Sequence, residues 1–279
     1  MTVTRFAPSP TGRLHIGHAH SALFAAHAAG DAGGRFLLRI EDIDRGRCRP
    51  EFEDGIYDDL AWLGLAWEQP VRRQSEHMND YCVALDNLAG IDVLYPCFCT
   101  RKDIEREFEA AARAPHGPDG ALYPGTCRTL SARERTDLIA AGEPHALRLD
   151  MAKAASIAGP LTFTDRDRGT IAVDGPGCGD VVLARKDVPT SYHLAVSVDD
   201  AIQGVTLVTR GADLLHATHV HRILQALLGL TEPEYHHHRL LTAADGKRFA
   251  KRDRSLTIEA LREAGRSAAE VRALAGFPD

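Results

Sequence analysis

Two histidines three residues apart, His15 and His18, open a stretch that reads as a helix directly after a Pro/Gly loop. Pro8-Ser9-Pro10-Thr11-Gly12 bends the backbone, and the residues from His15 to Ala29 are small, apolar and helix-forming, ending at Gly30. A helix N-terminus carries unpaired N–H groups and partial positive charge, which suits a phosphate. Positions i and i+3 share one side of the first turn, so both imidazoles can donate to the same set of oxygens. Gly17 leaves no side chain where a nucleobase or ribose would press on the backbone. Taken alone, a His-x-x-His pair reads more simply as ordinary residues near a surface turn.

Two further groups carry chemistry. Cys97-x-Cys99 is followed by Tyr123-x-x-x-Cys127. Three thiolates suffice for zinc affinity and a fourth oxygen or nitrogen completes a tetrahedron. Tyr123 is an unusual fourth ligand and His116 competes for the place, while plain buried thiols fit the residue types equally well. Near the C-terminus, Lys247, Arg248, Lys251 and Arg252 form a basic run, a pattern that by itself is usually a solvated turn. Cys48, Cys82 and Cys178 have no partners at ligand spacing and read as free thiols. His236-His237-His238 lies on an expected strand whose neighbours alternate faces, and His216, His219 and His221 give no facing trio on a helix, so both groups read as structural.

The elements that must hold these residues alternate. Residues 2–6 and 35–40 read as strands, with helices over 15–29, 51–65 and 75–88, the last capped by Ser75. Between about 96 and 150 the alternation breaks, which marks an insertion. Residues 161–173 form a hairpin turned at Arg168-Gly169, and the sheet resumes with strands at 191–198 and 204–209. A helix over 213–228 and a helix pair or bent helix over 257–275 close the chain. The pattern defines an α/β, Rossmann-type parallel sheet, divided as 1–95, an inserted zinc-knuckle subdomain at 96–150, and 151–279.

Bulk properties set outer bounds. The chain has 279 residues, 44% of them hydrophobic, enough for a full core. A net charge of −6 argues against a wholly nucleic-acid-covered surface, though not against a local basic groove. No apolar run is long enough for a bilayer, no secretory signal is visible at MTVTRFAPSP, and six cysteines in so long a chain do not read as a disulfide framework. A cytoplasmic location is expected.

The string RFAPSPTGRLHIGH resembles the His-Ile-Gly-His signature of class I aminoacyl-tRNA synthetases in the form that glutamyl-tRNA synthetases use. The basic run is similar to that family's second motif, Lys-Met-Ser-Lys-Ser. Arg248 stands at its first basic position, Phe249 at the apolar one and Lys251 at the lysine, with Ala250 in place of serine. The resemblance implies that His15, Gly17, His18 and Lys251 are the catalytic set and that His15, His18, Arg248 and Lys251 bind ATP, carried with Mg2+. A cation such as Lys251 stabilises charge that builds on the α-phosphate and departing pyrophosphate. Arg39-Ile40-Glu41-Asp42-Ile43-Asp44, Pro189–Ala195, Val198-Asp199-Asp200 and Arg210-Gly211-Ala212-Asp213 continue the likeness. It implies that Arg5, Phe6, Ala7, Pro8, Ser9, Glu41, Tyr192 and Arg210 surround L-glutamate. Two carboxylates and one ammonium call for two cationic forks and one anion, and Arg5, Arg210 and Glu41 are of those types, with Tyr192 adding a hydroxyl. Structural ion pairs such as Arg39 with Glu41 are the plainer alternative for each residue singly.

The chain stops soon after Lys251, without the helical anticodon-binding region of full glutamyl-tRNA synthetases. Its extent and its Cys-x-Cys…Tyr-x-x-x-Cys pattern are similar to the glutamyl-Q tRNA(Asp) synthetase family. That likeness implies one structural zinc on Cys97, Cys99, Tyr123 and Cys127. It also implies tRNA-independent formation of glutamyl-adenylate, transfer of glutamate to queuosine in the anticodon stem-loop of tRNA(Asp), and a monomer. A fragment of an ordinary glutamyl-tRNA synthetase and a non-catalytic RNA-binding paralogue stay open as alternatives.

Overall fold

Strands β1 (Val3–Phe6), β2 (Arg35–Ile40) and β3 (Glu68–Arg73) pair in parallel in the order β1-β2-β3. The chain is described by a computed structural model over residues 1–100, 102–104, 116–117, 120–241 and 257–278, with the side chains of 116, 117, 120 and 121 excluded. Strands β11 (Leu207–Gly211), β12 (Glu234–His238), β8 (Thr162–Asp165) and β9 (Gly169–Ala172) form a second run, in which β11, β12 and β8 are parallel and β9 turns back antiparallel. The two runs meet at β1 and β11, where Thr206 N–H donates to the Val3 carbonyl at 3.0 Å. Arg5 reaches across the same seam to the Thr209 carbonyl at 3.1 Å. Parallel strands need crossovers, and helices supply them.

Helix α1 (Ile16–Gly30) links β1 to β2. Its inner face is Ala19, Ala22, Ala25 and Ala29, all at most 2% exposed. Small side chains let the helix lie close to the sheet, and the Thr4 hydroxyl bonds the Ala25 carbonyl at 2.8 Å. Helix α2 (Pro50–Trp62) carries Ile56 and Leu60 into the same core, as the 3.6-residue spacing predicts. The closing pair, α8 (Ile258–Glu263) and α9 (Ala268–Leu274), packs Ile258 and Val271 against it.

A separate antiparallel sheet joins β4 (Leu94–Cys97), β7 (Ala146–Leu149) and β10 (Val182–Ala184) in the order β10-β7-β4. Between β4 and β7 lie the two-residue strands β5 (His116–Gly117) and β6 (Gly120–Ala121) and helix α4 (Ala132–Ala140), whose N-cap Ser131 forms a capping box with Glu134.

Two local expectations are corrected. Residues 192–202 are not a strand but helix α6 (Tyr192–Ile202). Leu194 through Asp200 are all buried, so no polar face marks the helical period, and the two valines inside mimic strand composition. Ser75 does not cap α3 (Met78–Gly90), which has no side-chain cap. It sits in a preceding 3-10 turn and bonds Asp42, N–H to Oδ1 at 2.8 Å and hydroxyl to Oδ2 at 2.5 Å. Strand β3 went unrecognised because Glu68–Arg73 holds one apolar residue, Val71, beside a proline. Helix α5 (Met151–Ala158) and helix α7 (Leu215–Leu228) complete the second core with α3 and α6.

Candidate functional site

At the end of the β1–α1 loop, His15 is the N-cap of α1. Its Nδ1 accepts the Gly17 N–H at 3.1 Å, and His18 Nδ1 accepts the His15 N–H at 3.1 Å. With both Nδ1 atoms used as acceptors, the neutral rings carry their protons on Nε2, the donor form that an anion requires. The two rings lie with centroids 3.8 Å apart and planes tilted by 31°. A Cβ on Gly17 would come about 3.0 Å from His15 Cε1, so any larger residue there would require the imidazole to give by a few tenths of an ångström. These residues line a cavity of about 450 Å3 together with His20, Ser21, His238 and Leu241. Thr257 forms a β-bridge with His15, and residues 242–256 precede it in the chain. Arg248 and Lys251 fall in that stretch and lie outside the described residues.

A smaller pocket of about 170 Å3 adjoins it, sharing Ser21, Gly211 and Leu214. Arg5, Phe6, Ala7, Glu41, Tyr192 and Arg210 line this second pocket, so the structure brings together side chains from the ends of β1 and β2, from α6 and from β11. Ser9 lies in a neighbouring cavity of about 380 Å3 that shares Glu41 and Tyr192. Pro8 contributes its carbonyl, which accepts the Glu41 N–H at 3.0 Å.

The arginines differ sharply in their partners. Arg5 is clamped by Asp200, at 2.9 Å from Nε and 3.3 Å from Nη2. Arg39, fully buried, bonds the same Asp200 at 2.7 Å, Gln203 at 3.0 Å and Glu41 at 3.1 Å. The Arg39–Glu41 ion pair therefore exists, and Glu41 lines the pocket as well. Asp199 is held by Arg72 at 2.8 Å, Gln74 at 2.9 Å and the Tyr81 hydroxyl at 2.9 Å. Burial raises the Asp200 carboxyl, but Arg5 and Arg39 outweigh it and leave the group below its ordinary value. For Glu41 burial wins over Arg39 and Arg5, and its carboxyl is raised.

Among the described residues Arg210 has no such counter-ion. Its Nε donates to His237 Nε2 at 3.2 Å, and Nη2 to the Thr218 hydroxyl at 2.6 Å. Nη1 donates to the Tyr192 oxygen at 3.3 Å and His221 Nδ1 at 3.2 Å. Each partner is neutral. Burial pushes His237 down to about 4 and His221 well below the ordinary histidine value, with Arg210 adding to both, and burial raises Tyr192. Among the described residues no carboxylate pairs with Arg210. A buried guanidinium left with only neutral acceptors and facing a cavity is a receptor for an anion.

The thiols converge elsewhere. The sulfurs of Cys97, Cys99 and Cys127 lie within 4.8 Å of one another. The Tyr123 oxygen is 3.4 Å from Cys97 Sγ and 3.5 Å from Cys99 Sγ, and it accepts the Cys127 N–H at 2.9 Å. The three thiols so gathered fit a zinc site in ligand type. Burial pushes the Cys99 thiol up to about 12, whereas hydrogen bonds from Tyr123 and the Phe98 amide overcome burial and lower Cys127. The His116 side chain lies outside the described residues. No other cluster of potential metal ligands occurs among the described residues.

Several residues at the pocket escaped sequence reasoning. Asp200, His221, Thr218 and His237 all touch a predicted site arginine. Two adjacent aspartates within an apolar run were a visible signal, because buried carboxylates demand cations. The histidines gave none, since their contacts join residues far apart in the chain.

Residues 1–274 match the family model described as tRNA synthetases class I (E and Q), catalytic domain, and the chain belongs to this family. Within it, the chain is 49% identical over 280 residues to the glutamyl-Q tRNA(Asp) synthetase of Rhodobacter capsulatus, covering 99% of this chain and 100% of the relative. A second glutamyl-Q tRNA(Asp) synthetase, from Nitratidesulfovibrio vulgaris, is 46% identical, covering 96% of this chain and 83% of its own. Among solved structures, a glutamate tRNA ligase from Elizabethkingia meningosepticum in complex with its amino acid superposes with a TM-score of 0.77 at 31% identity. That match covers 90% of this chain but 52% of the ligase, so the chain spans about half the length of the longer enzyme. No helix among the described residues is long and apolar enough to cross a membrane.

Proposed function

We propose that the chain activates L-glutamate with ATP and then transfers the glutamyl group to queuosine in tRNA(Asp). The observation that carries the reading is Arg210, a buried cation without a carboxylate partner among the described residues, in a pocket that shares Ser21, Gly211 and Leu214 with the His15/His18 cavity. Glutamate fits what the pocket lacks. Its side-chain carboxylate supplies the anion for Arg210 and the Tyr192 hydroxyl, and Glu41 meets the ammonium. The α-carboxylate is then left toward the shared wall at Ser21 and Gly211, where the α-phosphate of ATP would lie. Attack there expels pyrophosphate and makes glutamyl-adenylate, with no protein nucleophile required. His15 and His18 donate to the triphosphate, brought as its Mg2+ complex, and Lys251 is the cation assigned to the developing charge.

The cavity that shares Glu41 and Tyr192 with the acid pocket is the proposed place for the acceptor nucleoside. The segment 96–150, with one structural zinc on Cys97, Cys99, Tyr123 and Cys127, is the unit proposed to meet the RNA stem. ATP–pyrophosphate exchange with glutamate, run without tRNA, tests the first half. Labelled glutamate offered to tRNA(Asp) with and without queuosine, and to tRNA(Glu), tests the second. Esterification of a terminal ribose on tRNA(Glu) would instead assign the chain to ordinary aminoacylation.

A further inference from the structure

Arg210 and His237 are register partners on the adjacent parallel strands β11 and β12, and Asp165 closes the line from the end of β8. His237 Nδ1 lies 2.7 Å from Asp165 Oδ2, which also accepts the His237 N–H at 3.1 Å. Asp165 Oδ1 takes the N–H groups of Asp167 at 3.1 Å and Arg168 at 3.0 Å, and the Arg168 guanidinium at 3.2 Å. Both side chains of the Asp165–His237 pair are 0% exposed.

The directions of these bonds fix the imidazole. A guanidinium only donates, so His237 Nε2 must be a bare lone pair where it meets Arg210 Nε at 3.2 Å. The ring proton therefore sits on Nδ1 and is donated to Asp165. Burial raises that carboxyl, but its five N–H donors overcome this and hold it down at about 2, so it stays ionised and enforces the tautomer.

We infer that Asp165 and His237 are positioning residues that aim Arg210 at the acid-binding pocket while leaving its charge unspent, and so set selection of an anionic over a neutral side chain in the substrate. A carboxylate bonded directly to Arg210, as Asp200 is to Arg5, would hold the guanidinium equally well but would neutralise it and take the ligand's place. The neutral imidazole is interposed instead. It anchors Nε and leaves the Nη edge, steadied by Thr218, Tyr192 and His221, along the pocket wall. This inference rests on the reading that the pocket takes glutamate.

The test is ATP–pyrophosphate exchange by the full chain with glutamate and with glutamine, for wild type, His237→Leu, His237→Gln and Asp165→Asn. Loss of the acceptor for a charged donor predicts a rise of about 10- to 100-fold in KM for glutamate in His237→Leu. KM for ATP stays within about twofold, because a hydrogen bond on the acid side does not reach the His15/His18 cavity, and the preference for glutamate over glutamine narrows. His237→Gln, which keeps an acceptor near the Nε2 position, restores most of the loss. Should His237→Leu not fold, Asp165→Asn keeps the shape, frees the tautomer and carries the same split in KM. Wild-type exchange with glutamate, but equal changes in both KM values or an unchanged glutamate KM, overturns the inference alone. Absence of glutamate exchange in wild type overturns the reading of the pocket and this inference with it.

Discussion

Arg210 Nη1 lies 3.3 Å from the Tyr192 hydroxyl oxygen, and because a guanidinium cannot accept, the phenol must spend its lone pair there. The phenolic proton is thereby left for whatever fills the pocket that both residues line. Burial keeps the group protonated. Tyr192→Phe removes that donor without removing the ring. A hydrogen bond to a charged group is worth about 1.5–3 kcal/mol. KM for glutamate should rise by roughly 10-fold or more in exchange assays, with the ATP term unchanged. An unaltered KM would place the carboxylate elsewhere.

The fit of Gly17 beneath His15 makes a second prediction. Gly17→Ala places a Cβ about 3.0 Å from the His15 ring, which must give by a few tenths of an ångström and weaken its bond to the residue-17 N–H. Losing a side-chain N-cap costs about 1 kcal/mol. Thermal unfolding should shift down modestly while KM for ATP rises much more, since the imidazole is also the proposed phosphate donor. Equal ATP affinity in the variant would remove His15 from that role.

Lys251 offers a prediction that rests on sequence resemblance. Lys251→Ala should lower the exchange rate by roughly 10²- to 10³-fold, the usual loss when one group aimed at developing charge is removed. Melting temperature should not move. A variant that exchanges at the wild-type rate would assign the charge to another cation of the run, with Arg248 the next to substitute.

Metal content tests the thiol cluster. The protein purified without chelator should carry about one zinc per chain, and Cys97→Ala or Cys127→Ala should lose it. Tyr123→Phe separates the fourth ligand from its hydrogen-bonding role. If the phenol oxygen is a ligand, zinc affinity falls. If it only accepts the Cys127 N–H, stoichiometry and affinity persist. Metal analysis and competition with a chromogenic chelator read both.

Much of the site was legible in the sequence, for a physical reason. A helix start, a glycine and two histidines act within one turn, so the geometry at His15 and His18 follows from spacing alone. The same holds for Cys97 with Cys99 and for Tyr123 with Cys127. The acid pocket was legible only as residue types. Arg5 and Arg210 were both expected to supply free forks, yet Arg5 is bound by Asp200 and Arg210 is not bound by any described carboxylate. That difference is set across the seam of β1 and β11 and by α6, whose helical state a fully buried stretch conceals. Local pattern reports which face is wet. Where no face is wet, it reports nothing.

Buried neutral histidines give the last prediction, on pH. His237 and His193 are pushed down to about 4 and His221 lies well below the usual value, each chiefly by burial and then by the Arg210 charge. In the unfolded chain all three regain an ordinary value near 6.5. The unfolded state therefore binds more protons over the interval between about 6.5 and 4. Stability is fully present above about pH 6.5 and falls as the pH drops through that window. Each histidine contributes up to about 1.4 kcal/mol per pH unit to the slope. Asp200, whose carboxyl is lowered by Arg5 and Arg39 against the opposing effect of burial, adds a further loss only below the ordinary carboxylate range. Urea midpoints between pH 7 and 4.5 should decline steadily for the wild type and less steeply for His237→Gln, which cannot take up that proton. Parallel slopes for the two proteins would show that His237 takes up its proton as readily in the folded state as in the unfolded one, so that its place beside Arg210 does not hold the ring neutral.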